Sequence, residues 1–132
     1  MFKKIEVRTT RREELIDVTK QIREIVQQSG IKNGMLVLFV PHTTAAVTIN
    51  ENADPTVPSD IINSLKKISP ILPEFRHMEG NSDAHVKSSL VGCSQEIIIE
   101  NGQLVLGTWQ GIFFCEFDGP RHRKLYVKVC EC

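Results

Sequence analysis

Apolar and polar positions alternate through the first residues of the chain. Phe2, Ile5 and Val7 with Thr9 predict an opening strand, and Leu15, Ile16 and Val18 a second one beyond the charged turn at residues 11–14. The period then changes: Ile22, Ile25 and Val26 recur at i, i+3, i+4, which predicts an amphipathic helix capped at Thr19 and stopped at Ser29-Gly30, where glycine supplies the left-handed conformation. After an Asn33-Gly34 turn, residues 35–40 (MLVLFV) are an apolar run of strand length, expected as a central strand covered on both faces. Beyond Pro41 another strand is expected over residues 44–50, with Ala45, Val47 and Ile49 on one face and Thr44, Ala46, Thr48 and Asn50 on the other. That places His42 at a strand end.

Asp54-Pro55 and Ser59 are competing starts for a second helix, whose apolar face is Ile61, Ile62, Leu65 and Ile68 and which Pro70 ends. Residues 69–83, with Pro70, Pro73 and Gly80, predict the longest loop. Asp83 then caps a short helix through Leu90, closed by Gly92. The remainder is strand-like at residues 97–99, 104–106, 112–117 and 125–129, with Asn101-Gly102 as a hairpin turn. Strands dominate both ends and no regular βαβ alternation is present. The expected fold is therefore α+β, with largely antiparallel sheets, two longer helices and one short one, in a single domain over residues 1–132.

Composition narrows the function. At 132 residues and 41% hydrophobic, the chain can close one core without staples. Sixteen basic residues balance sixteen acidic ones, so no net field draws in nucleic acid or an anionic membrane. No apolar stretch is long enough to span a bilayer, and residues 1–8 lack the apolar region of a signal peptide, so a cytoplasmic location is expected, with neither nucleic acid nor membrane as partner. Cys93, Cys115, Cys130 and Cys132 are expected as reduced thiols, a structural zinc site being the alternative.

Three segments could carry chemistry. Residues 41–51 bring together His42, the hydroxyls of Thr43 and Thr44, and Glu51. An imidazole at a strand end can serve as general base or metal ligand, or merely bond a neighbouring carbonyl. His77 and His85 flank a loop holding Glu79, Asn81, Ser82 and Asp83, more polar than a connector requires. Convergence of His42, His77 and His85 would suit zinc, although spacing alone fixes no ligand set. Glu116 interrupts a strand that is otherwise apolar on both faces, so it needs a partner or a raised pKa, and Arg121 and Arg123 are the candidate partners. The turn Asp118-Gly-Pro-Arg121 would present a guanidinium suited to phosphate or carboxylate, unless residues 121–124 are simply a solvated basic run.

Taken together, PHTTAAVTINENADP at 41–55, His77 with NSDAH at 81–85, and LGTWQGIFFCEFDGPR at 106–121 resemble the YjbQ family, as do DVT at 17–19 and SSLVG at 88–92. The resemblance implies an α+β protein with antiparallel sheets that assembles as a homotrimer with a polar site near subunit boundaries. It also implies a secondary thiamine-phosphate synthase activity. Carried over by motif are His42, Thr43, Thr44, Glu51 and Asp54, the loop residues His77, Asn81 and His85, and the C-terminal Trp109, Gln110, Glu116, Asp118 and Arg121.

The expected roles are catalysis for His42, Glu51 and Glu116, and substrate binding for Thr43, Thr44, Asn81, Trp109, Gln110, Asp118 and Arg121. His42, His77 and His85 are the expected ligands of a divalent metal, zinc or magnesium. The expected function is an enzyme of small phosphorylated metabolites, joining a pyrimidine diphosphate to a thiazole phosphate with release of pyrophosphate. The alternative is a non-catalytic metal- or metabolite-binding homotrimer.

Overall fold

Every strand pairing in the computed structural model, which describes residues 1–132, is antiparallel. Strands β1 (Phe2–Arg8) and β2 (Glu14–Asp17) precede helix α1 (Thr19–Ser29), strands β3 (Gly34–Phe39) and β4 (Ala45–Glu51), and helices α2 (Thr56–Ile68) and α3 (Ser82–Val91). Strands β5 (Ser94–Glu100), β6 (Gln103–Leu104), β7 (Gln110–Glu116) and β8 (His122–Glu131) complete the chain. They form a large sheet in the order β1-β8-β3-β5-β6 and a small one in the order β2-β7-β4. The fold is α+β, as expected.

The main core lies between the sheets. Leu36, Leu38, Ile97, Ile99, Leu125 and Val127 of the large sheet meet Ala45, Val47, Ile112 and Phe114 of the small one, together with Ile22, Ile25 and Val26 of α1. On the other face of the small sheet, Ala46, Cys115 and Phe117 pack with Ala84 of α3. Strand β7 is thus enclosed on both faces. The sequence assigned that position to β3, which is central, between β8 and β5, but is covered on one face only: Leu36 and Leu38 are buried while Phe39 is 44% exposed. Apolar runs do not reveal which layer covers them, because no helix crosses the outer face of the large sheet at β3.

Local signals set the boundaries. Gly30 closes α1 at φ 69°, and Asn101 and Gly102 both take positive φ between β5 and β6, as a two-residue I′ turn requires. Thr19 is not the cap of α1. Val18 occupies that position, and the Asp17 carboxylate accepts the Thr19 N–H at 2.9 Å. At α2 the Asp54-Pro55 start prevails over Ser59, with Asp54 accepting the Thr56 N–H at 2.9 Å and hydroxyl at 2.7 Å. Asn81, not Asp83, sits at the N-cap of α3.

Both later helices pack unusually. No residue of α2 is fully buried, and Ile68 at its end is 66% exposed. Helix α3 buries Asp83, Lys87 and Ser88 along with Ala84 while Val86 and Leu90 face outward.

Candidate functional site

Alternation along β7 puts Glu116 on the same side as Ile112 and Phe114, facing the main core, and it is wholly buried. Its carboxylate is saturated. Arg123 Nε donates to Oε1 at 2.8 Å and Nη2 to Oε2, the Thr9 hydroxyl donates to Oε1 at 2.7 Å, and the Asp118 N–H to Oε2 at 3.0 Å. Burial pushes the Glu116 carboxyl up, but the Arg123 guanidinium, the Asp118 N–H and Thr9 together outweigh it and hold the group below the usual carboxylate range. The partner is therefore Arg123 and not Arg121. An enclosed carboxylate with every oxygen engaged cannot reach a substrate directly, and Glu116, expected as catalytic, instead holds Arg123 and the backbone at Asp118. Thr44 shares that role, its buried hydroxyl taking Arg123 Nη2 at 2.8 Å, whereas Thr43 is exposed.

The turn after β7 is tied to residues 9–12. Arg121 N donates to Thr9 Oγ1 at 2.7 Å and Gly119 N to the Arg12 carbonyl at 2.9 Å, and a Cβ at Gly119 would fall 2.2 Å from the Arg11 carbonyl. So anchored, Asp118 receives Asn81 Nδ2 at 2.7 Å and Arg121 Nη2 at 2.9 Å on one oxygen. Burial raises the Asp118 carboxyl, and the bonds from Asn81 and Arg121 reverse this and hold it low, with Arg12 contributing its charge. Arg121 Nε also donates to the Asp118 carbonyl at 2.8 Å, which leaves the Nη1 end of the guanidinium without a partner.

Asn81 is the unusual member of this set. An N-cap asparagine ordinarily accepts a backbone N–H of the first helical turn through Oδ1. Here the side chain makes no capping bond, its amide is turned to Asp118, and Oδ1 is buried without a partner. One turn along α3, His85 stacks edge-on against His77, ring centroids 5.3 Å apart. His42 Nε2 accepts the Lys124 N–H at 2.9 Å, which leaves the proton of a neutral ring on Nδ1. Burial lowers its pKa and the neighbouring Arg123 charge lowers it further.

The expected metal set does not form within the chain. No three His, Cys, Asp or Glu side chains lie together in a way that could hold an ion, His77 and His85 pairing with each other while His42 is taken up by the β8 backbone.

Nor do the expected catalytic carboxylates meet. In the β4–β7 register Ala45 faces Glu116 whereas Glu51 faces Gln110, which separates the two ends by about 20 Å of strand. Glu51, Gln110 and Trp109 belong to that far end, where the Trp109 carbonyl accepts the Asn52 N–H at 3.1 Å and the indole is 62% exposed. Asp54 caps α2. Sequence reasoning also missed a buried network in which Lys87 bonds Asp83 at 2.9 Å and Glu13 at 3.0 Å, with Arg12 on the same two carboxylates. The i, i+4 spacing of Asp83 and Lys87 was the available signal.

Residues 3–132 match the family described as UPF0047 protein YjbQ-like. The chain belongs to the YjbQ family. Among its relatives, a UPF0047 protein of Methanocaldococcus jannaschii is 59% identical over 129 residues, covering 98% of this chain and 94% of the relative. The UPF0047 protein YugU of Bacillus subtilis is 52% identical, covering 98% of each. A YjbQ/UPF0047 crystal structure from Clostridium acetobutylicum superposes with a TM-score of 0.94 at 54% identity, over 96% of this chain and 98% of that one. A YjbQ-like protein of unknown function from Sulfolobus solfataricus gives 0.96 at 37% identity, over 100% and 97%. No helix of the chain is long and apolar enough to cross a membrane.

Proposed function

We propose that this YjbQ-family chain is one subunit of a homotrimeric enzyme for small phosphorylated metabolites, with a site completed across a subunit boundary. The observation that carries the reading is the cluster of Asn81, Asp118 and Arg121, with an exposed guanidinium beside a buried, unpartnered Asn81 Oδ1. A substrate phosphate suits the free Nη1 end of Arg121, whose other nitrogens Asp118 holds in place. His42, whose neutral ring carries its proton on Nδ1, is the candidate acid.

Assembly is what joins the two ends. Cyclic trimers use head-to-tail contacts, in which one surface of a subunit meets a different surface of the next. Exposed Ile68, Ile71, Val86 and Leu90 supply apolar surface for such contacts. In this arrangement Glu51, Trp109 and Gln110 of one subunit complete the Asp118 end of another.

The concrete reaction is transfer of a pyrimidine methylene from its diphosphate to a thiazole nitrogen: the carbon–oxygen bond breaks, a carbon–nitrogen bond forms, and pyrophosphate leaves. Arg121 would hold a phosphate and oppose the developing charge. The donors of one chain do not fit a metal ion, so no step is assigned to one. The test is turnover by the purified protein on the pyrimidine diphosphate and thiazole phosphate, with Arg121→Ala alongside. Thiamine phosphate formation abolished by Arg121→Ala supports the proposal, and tight binding without turnover favours the non-catalytic alternative.

A further inference from the structure

The His and carboxylate donors gather no ion within one chain, but the outer face of the large sheet brings sulfur donors together, at the opposite end of β8 from Arg121. Along β8, Val127 and Val129 point into the core, so Lys128 and Cys130 point out. The bond from Cys132 N to the Asn33 carbonyl at 3.2 Å continues the register, and Cys132 follows Cys130 onto the same face. On β3, Leu36 is buried, which turns its neighbour Met35 outward, directly opposite Cys130. Two thiols and a thioether thus share one patch.

Strand geometry decides what the thiols can do. Residues i and i+2 on one face stand about 7 Å apart, whereas a disulfide needs Cβ atoms about 3.8 Å apart. The extended backbone therefore keeps Cys130 and Cys132 as free thiols. A bridging ion fits the same spacing: two thiolate–metal bonds of about 2.3 Å each set the sulfurs about 4.6 Å apart, within reach of two Cβ–Sγ bonds that lean together. Met35 can complete the set, because cross-strand neighbours have Cβ atoms about 5 Å apart and its unbranched side chain has three rotatable bonds.

Donor chemistry selects the ion. Zinc completes a tetrahedron of thiolate, imidazole and carboxylate, and no His, Asp or Glu joins the two cysteines as a third ligand. Thiolate and thioether together suit monovalent copper. Access is open, since Cys132 is exposed and Cys130 half-buried. Cys93 lies at the far end of β3, its carbonyl taking Val40 N at 2.8 Å, and Cys115 is in the core, so neither belongs to the patch.

We propose that Cys130, Cys132 and Met35 form a surface site for Cu(I). Binding exchanges two S–H protons, released to water, for two S–Cu bonds, and no electron is transferred. The site is separate from the one assigned to phosphorylated substrates and stands whether or not that assignment holds.

Anaerobic titration of the reduced full chain with Cu(I), in competition with bicinchoninate, tests it. The expected result is one ion per chain, with sulfur alone in the copper shell by X-ray absorption. Cys130→Ser and Cys132→Ser should each weaken binding by more than about a hundredfold, beyond the loss a merely supporting residue causes, and Met35→Leu by about tenfold. These positions lie outside the core, so circular dichroism should find each variant folded, and Cys93→Ser should bind as the wild type does. No uptake of Cu(I) against the competitor, full affinity in any of the three ligand variants, nitrogen or oxygen in the copper shell, or loss of binding with Cys93→Ser would each overturn the proposal. So would half an ion per chain with copper-dependent association in sedimentation, which places the metal between copies.

Discussion

Arg123 closes on Glu116 through two nitrogens at the point where β7 gives way to β8, and neither side chain retains meaningful exposure. Removing the charge of one partner strands the other in the core. Glu116→Gln should therefore cost on the order of 3 kcal/mol, the scale for a broken buried pair. Urea denaturation reads this directly. Because the folded carboxyl is held below its unfolded value, the stabilisation is present above the ordinary carboxylate range and is lost as pH falls through the folded pKa. The wild-type chain should accordingly lose stability in acid more steeply than Glu116→Gln. Equal stability of the two proteins at neutral pH would remove the pair from the account.

His42 predicts a pH dependence of the same sign, setting in nearer neutrality. Burial and Arg123 keep its ring neutral, so on acidification the unfolded chain takes up a proton at the ordinary imidazole value that the folded chain refuses until lower pH. Stability contributed here is full above the ordinary value and declines as pH falls below it. Proton–nitrogen correlation spectra should give His42 a pKa below the ordinary histidine value, with the proton of the neutral ring on Nδ1. A titration above the ordinary value would contradict the assigned bond from Lys124 N.

Cys115 should be chemically silent. It is 1% exposed within the packing of Ala46, Phe117 and Ala84, and burial pushes its thiol up to about 12. A thiolate reagent should modify exposed Cys93 and Cys132 in the native protein and reach Cys115 only with unfolding. Modification of Cys115 at the rate of Cys93 would mean that the layer between α3 and the small sheet opens in the native state.

What the sequence disclosed was local. The Ile22–Ile25–Val26 stripe, Gly30 and Asn101-Gly102 act within a few residues of themselves, and the structure keeps all three. Helix α3 was legible as an element, expected from Asp83 to Leu90 and found at Ser82–Val91, but its buried face was not, because that face is polar and bonded by Glu13 and Arg12 from a distant stretch of chain. Such burial leaves no apolar stripe to read. The choice between Arg121 and Arg123 was legible in part: Arg123 leads the buried series Leu125, Val127 and Val129 at period two, whereas Arg121 lies in the turn before β8. The division of the site was hidden for a different reason. Motif residues that share a strand pair occupy its opposite ends, and only the β4–β7 register reveals the separation.

The composite site is tested most directly through Trp109, the one tryptophan of the chain. Alone, the subunit leaves this indole 62% exposed, at the end of β7 away from Asp118 and separated from it by about 20 Å of strand. Acrylamide quenching of its fluorescence, followed through a dilution series with sedimentation in parallel, compares the assembled and dissociated protein. The account predicts an indole shielded in a trimer and open on dissociation, with Asp118→Asn altering the emission of the assembled protein alone. An indole equally quenched in both states and indifferent to Asp118→Asn would contradict it.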